Sequence, residues 1–120
     1  MCSSDLELAL EMIGMVSAGL QGLTTRTWVT VDDVRAGAPT ATTKAELLAL
    51  WDATTKQIEA AWPQIPAGRF GEIDKAFGTW EGPVHALFFY WIDNEIHHRG
   101  QGYVYLRSLG IEPPAFWDRS

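Results

Sequence analysis

Asn94, His98 and Gln101 stand three to four residues apart within Asp93-Asn94-Glu95-Ile96-His97-His98-Arg99-Gly100-Gln101. On a helix that spacing places an imidazole and two amides on one face. Leu87, Trp91 and Tyr105 continue the same face in both directions, so a polar centre interrupts an otherwise apolar stripe. Buried polar groups cost free energy unless they are satisfied. Two outcomes remain open: a closed hydrogen-bonded cluster, or donors and acceptors that meet something bound from outside.

The neighbouring titratable residues carry weaker signals. Glu95 and His98 form a Glu-x-x-His unit, which di-iron carboxylate bundles use in pairs on facing helices. The chain has no second such unit, so this reading would need a second copy placed on a two-fold axis. His97 lies about 100° around the helix from His98, which suits a surface or interface position. Asp93 and His97 are spaced for a local polar contact, and Glu81 with His85 for a helix start. Arg99 and Arg107 could receive an anionic substrate, but pairing with the acidic helices is the plainer expectation. Cys2 is the sole cysteine, on an unanchored terminus, and no Ser-His-Asp arrangement can be built from the spacings.

The elements that must position these groups are helices. Gly82-Pro83 opens the longest helical pattern and Gly110 closes it ahead of Pro113-Pro114. Ser3-Ser4-Asp5 offers caps for a first helix over Leu6 to Leu23, with Leu8, Met12, Met15, Gly19 and Gly22/Leu23 on its inner stripe. Gly14, Ala18 and Gly22 should let a second helix come close. Thr43-Lys44-Ala45-Glu46 is a capping box that starts another helix, which Pro63 stops near Trp62. Leu47, Leu50, Trp51, Thr54, Ile58 and Ala61/Trp62 are its expected buried stripe. Thr24 to Ala41 reads as a long loop with one short helical turn near Val31 to Arg35. Short extended pieces around Phe70–Ile73 and Phe77–Trp80 are spaced for a small hairpin. Phe116 and Trp117 should pack down. Gly100 and Gly102 weaken the last helix and should admit a close neighbour. The Trp residues 28, 51, 80 and 91 fit core positions, or the wall of an apolar pocket.

Composition bounds the function. With 120 residues, 47% of them hydrophobic, and six Trp, the chain forms one domain over residues 1–120 with a real core. A net charge of −6 and the lack of a basic run argue against a nucleic-acid surface. One cysteine fits a reducing, cytoplasmic setting. Asp5, Glu7 and Glu11 within the apolar first helix argue against a signal peptide or a membrane span.

The segment His98-Arg99-Gly100-Gln101, followed by Tyr105-Leu106-Arg107, Leu109-Gly110-Ile111 and Pro113-Pro114, resembles the C-terminal signature of the DinB family. The family is related to the metal-dependent bacillithiol and mycothiol transferases. The resemblance covers residues 94–114, with a fainter echo over Gly22 to Trp28. It implies an all-α, up-down helical bundle, and this chain would supply three main helices with the usual first one absent. An apolar face would then stay uncovered, and a homodimer is the simplest remedy.

The resemblance also implies a divalent metal on three histidines, one from an earlier helix and two at i,i+4. The matching positions here are Glu11, with Met12 the alternative register, then Asn94 and His98, so two of the three histidines are replaced. Glu95, Arg99 and Gln101 would support such a site or touch a substrate. A carboxylate and an imidazole suit zinc, nickel, manganese or iron, whereas a side-chain amide is a poor ligand for them. Two readings follow. One is a metal-dependent protein of thiol-transferase or hydrolase type. The other is a member without metal that binds a small molecule, or serves only as a structural dimer.

Overall fold

A first helix, α1 (Asp5–Thr25), carries two others on separate sides, α3 (Lys44–Ala61) and α4 (Val84–Ser108). The computed structural model describes residues 5–118; Cys2 and the cap residues Ser3 and Ser4 lie outside them. A six-residue helix, α2 (Val31–Ala36), sits in the long connection after α1. Two 3-10 turns, Trp62–Gln64 and Ala67–Gly71, lead from α3 to a hairpin of β1 (Ile73–Ala76) and β2 (Trp80–Pro83). The protein is a mostly helical bundle with one small sheet. By length and composition alone α1 could cross a bilayer; here it is the helix on which α3 and α4 pack.

The caps explain the boundaries. Thr43 accepts from the Glu46 N–H while the Glu46 carboxylate accepts from the Thr43 N–H, and Thr30 with Asp33 repeats this arrangement at α2. The Thr42 backbone N–H and hydroxyl, both donating to Glu46, hold its carboxyl below the usual range. The far end of α4 closes with Gly110 left-handed at φ 75°, the Gly110 N–H donating to Arg107 O and the Ile111 N–H to Leu106 O. Thr25 is followed by Arg26 at φ 61°, which turns the chain away from α1.

The hairpin sits about three residues later than its spacing suggests. Phe70 is drawn into the second 3-10 turn, and Phe77 (φ 55°) and Gly78 (φ 71°) are the left-handed hairpin turn rather than the start of a strand. Ile73 pairs with Pro83, and Pro83 passes the chain directly into α4.

The core gathers Leu23, Val84 and Trp91, with Met15, Trp28, Ile65, Phe70 and Phe88 packed around them. Gly19 is required there because the Trp91 ring fills the space a Cβ would take, and Gly22 makes room for the Trp28 ring in the same way. The close approach predicted for α1 is therefore made by two indoles. Gly100 and Gly102 face open space, so the neighbour expected beside them is not found among the described residues.

Two burial expectations fail. Thr54 is buried on α3, but Trp51, Ile58 and Trp62 remain 39%, 37% and 45% exposed, because α3 packs on α1 and makes little contact with α4. Phe116 and Trp117 are exposed and pack edge to face on each other instead of on the bundle.

Candidate functional site

Packing of α4 on α1 brings His98 against Glu11. His98 is 8% exposed, and its Nε2 lies 3.3 Å from Glu11 Oε1. On the other side of the ring, Nδ1 lies 2.8 Å from Gln101 Oε1, one helical turn along α4. An amide oxygen accepts, so Nδ1–H donates to it and Nε2 is left facing the carboxylate. That contact is favourable when a proton or a cation lies between nitrogen and oxygen. Gln101 thus fixes the ring, and the Glu11 side chain, half exposed, remains adjustable.

The other site candidates point elsewhere. Asn94 is half-buried and lines a crevice on the α3 side with Met12, Trp51 and Trp91. Glu95 lies on the wall of that same crevice. His97 is exposed, its ring edge to face with His98 at 5.1 Å. Arg99 forms no ion pair with the described residues, and Arg107 lies over the Tyr103 ring at 5.9 Å rather than beside an acid. His85 Nδ1 sits 3.2 Å from the Phe70 carbonyl oxygen, which ties the start of α4 to the 3-10 turn.

Glu11 also belongs to a larger feature. A cleft of about 550 Å³ opens between α1, α2, the hairpin and α4, lined by Glu11, Gly14, Val34, Ala38, Trp80 and Tyr90 among others. Its volume is within the range of small-molecule sites, and its wall is mainly apolar. Glu7, Glu11 and Arg35 are the charged residues on its lining. Arg35 stands 3.7 Å from Asp32, both well exposed. The cleft therefore favours a flat apolar body with a hydrogen-bond donor or a positive end.

What holds the cleft open is a cluster that spacing arguments did not identify. Arg69 is 1% exposed and donates from Nε to Leu23 O (2.9 Å) and from Nη2 to Gly22 O (3.0 Å), carbonyls in the last turn of α1. Its Nη1 donates to Glu72 (2.8 Å) and to Asp74 (2.9 Å). Trp28 Nε1 donates to Asp74 at 2.6 Å, and Arg26 makes a two-bond contact with Glu72 at 2.7 and 3.0 Å. Hydrogen bonds from Arg69, then from Trp28, hold the Asp74 carboxyl below its ordinary range despite burial. Arg26 does the same for Glu72. The hydrogen bond to Asp74 raises the Arg69 guanidinium further. This cluster staples the hairpin to α1, and Trp28 meets Phe77 edge to face at 5.3 Å. Phe77 and Trp80 can then form the outer wall of the cleft.

The donors can be tested against a metal. Glu11 and His98 are the right types, and 3.3 Å is close to the separation of two donors on a tetrahedral ion with bonds of about 2.0–2.1 Å. Asn94 is a poor third donor. Among the described residues no group of three or more His, Cys, Asp or Glu side chains is placed to hold an ion. The set does not fit a tightly held, three-ligand metal.

A sequence model of the DinB family matches residues 24–119, from the last turn of α1 to the tail. His98, Asn94 and Gln101 lie inside the match, and Glu11 lies outside it. No curated protein matches the chain.

Proposed function

We propose, for a chain that belongs to the DinB family, that it binds a small, mainly apolar molecule in the cleft beside Glu11. The ligand's body lies against Trp80, Tyr90 and Val34, and a hydrogen-bond donor or positive end meets Glu11. His98, held by Gln101, stands behind that carboxylate and sets its position. The observation that carries this reading is the shared residue: Glu11 is both a wall of the cleft and the partner of the buried imidazole.

N-phenyl-1-naphthylamine, a neutral apolar fluorophore with one N–H donor, is a suitable probe. Saturable fluorescence enhancement is expected for the parent. It should be lost in Gly14→Leu, which fills the cleft floor, while far-UV circular dichroism is unchanged. Enhancement of equal strength in Gly14→Leu would place the dye elsewhere and refute the cleft.

The 3.3 Å separation of Glu11 and His98 favours a second reading, in which the pair loosely holds a divalent ion whose other positions go to water or ligand. Elemental analysis of protein purified without chelator or affinity tag, beside His98→Ala, decides it. Near-stoichiometric metal in the parent alone supports the ion; none in either, after loading with zinc, manganese and nickel, leaves the metal-free reading.

A further inference from the structure

The charges on the cleft lining are unequal. Glu7 and Glu11 are acids and Arg35 is the base, and Arg35 already stands 3.7 Å from Asp32. Among the described residues no lysine or arginine pairs with Glu11; its contact is the His98 Nε2 at 3.3 Å. Because the His98 Nδ1–H is directed at Gln101, a neutral imidazole turns a lone pair toward Glu11. Carboxylate and ring nitrogen are then two acceptors side by side with a donor wanting between them. Trp80 and Tyr90, each about half exposed, stand on the same lining.

We infer that the ligand class of this cleft is an arylalkyl ammonium, a flat apolar body carrying a protonated primary amine. The inference rests on the cleft reading above and narrows it from any hydrogen-bond donor to a cation. A primary ammonium carries three N–H donors on one atom, so it can serve both acceptors of the Glu11–His98 pair, where an alcohol has one proton to give. Its bonds to a carboxylate are charge-assisted and stronger than neutral ones. Indole and phenol rings attract the same cation through their π faces. An anionic ligand meets two acids and a base that Asp32 already accompanies. The open groove between α3 and α4, beside the exposed Trp51, Ile58 and Trp62, also holds an acid, Glu95. Its hollows measure about 70 and 200 Å³ against about 550 Å³ for the cleft, which is the roomier place for an aromatic body.

The test is equilibrium dialysis of the full chain at pH 7 against three naphthalenes that differ in one group. They are 2-(1-naphthyl)ethylamine, a cation; 2-(1-naphthyl)ethanol, neutral; and 1-naphthaleneacetate, an anion. The amine should bind roughly ten-fold tighter than the alcohol, as a charged hydrogen bond in place of a neutral one implies. The acid should bind weakest. In Glu11→Gln the amine's advantage should vanish, and Gly14→Leu should weaken amine and alcohol alike. Arg35→Gln should leave the advantage intact or widen it, which keeps a test available should Glu11→Gln misfold; a narrowed advantage in Arg35→Gln overturns the inference. Alcohol and amine of equal affinity, both sensitive to Gly14→Leu, overturn the cation and leave the cleft reading standing. An advantage that survives in folded Glu11→Gln overturns it as well, since the charge would then be read elsewhere. If none of the three binds, and N-phenyl-1-naphthylamine does not either, both readings fail together.

Discussion

Two polar clusters touch α1, one near each end, and they solve the burial problem in opposite ways. At the C-terminal end Arg69 is enclosed, and its donors are taken by two helix carbonyls and two carboxylates. Near the N-terminal end His98 is enclosed, but its second nitrogen meets a carboxylate that is half open to solvent and shared with a cleft. A closed network contributes rigidity and has nothing left to offer a ligand. An open one contributes little stability and can change partners. The difference separates the part of the molecule that shapes the cleft from the part that reads its contents.

Breaking the closed cluster should have the largest effect. Arg69→Met leaves Asp74 without its hydrogen-bonded cation and the Leu23 carbonyl without the guanidinium donor, while the Gly22 carbonyl keeps the Arg26 N–H; removing one member of such a buried pair costs about 3–5 kcal/mol. Urea denaturation should show the loss as a lower midpoint. A change under about 1 kcal/mol would mean that the cluster is not the staple described. Trp28→Phe keeps the ring against Phe77 and deletes only the bond to Asp74, which as a hydrogen bond to a charged group should cost about 1.5–3 kcal/mol. The same denaturation series measures it, and the two losses should not add, because they share Asp74.

Acid sharpens the contrast. Asp74 and Glu72 both titrate lower in the folded protein than their ordinary values of 3.8 and 4.5. Their contribution is therefore complete above those values and is lost as pH falls below them. Thermal melts between pH 7 and pH 3 should show a drop confined to the acid end in the parent and a shallower one in Arg69→Met. The smallest effect belongs to the open pair: Glu11→Gln should change unfolding free energy by no more than about 0.5 kcal/mol, since a contact made by a half-exposed carboxylate contributes little. It should nevertheless weaken binding of the naphthylamine probe. A large stability loss in Glu11→Gln would make the pair a second staple and remove the distinction.

Much of the architecture was legible in the chain because it is written in local chemistry. Thr43 with Glu46, Pro63, Gly82-Pro83 and Gly110 each act through a dihedral angle or a cap, and each marks its boundary within a residue or two. The hairpin was displaced because Phe77 takes a left-handed conformation that its residue type does not advertise. Periodicity identified the apolar stripe of α3 but could not tell a face buried in one chain from a face left open. At the candidate site only the burial of His98 and its contact with Gln101 match the expected polar cluster, since Gln101 itself is exposed and Asn94 is half-buried in the α3-side crevice; Glu11 does lie against His98, as the resemblance suggested. Arg69 was not legible, because an arginine between glycines reads as surface until the carbonyls at the end of α1 are seen to need donors. The cleft depends on four separate elements, and no single stretch of sequence encodes it.

The central claim is that binding occurs where Glu11 meets the cleft. Backbone amide shifts of ¹⁵N-labelled protein, followed during titration with N-phenyl-1-naphthylamine, test it most directly. The account predicts saturable changes at Glu11, Gly14, Val34, Ala38, Trp80 and Tyr90, with the His98 amide following and the Arg69 cluster still. Changes confined to Trp51, Ile58 and Trp62 would contradict it, because the probe would then occupy the open groove and the cleft would have no demonstrated ligand.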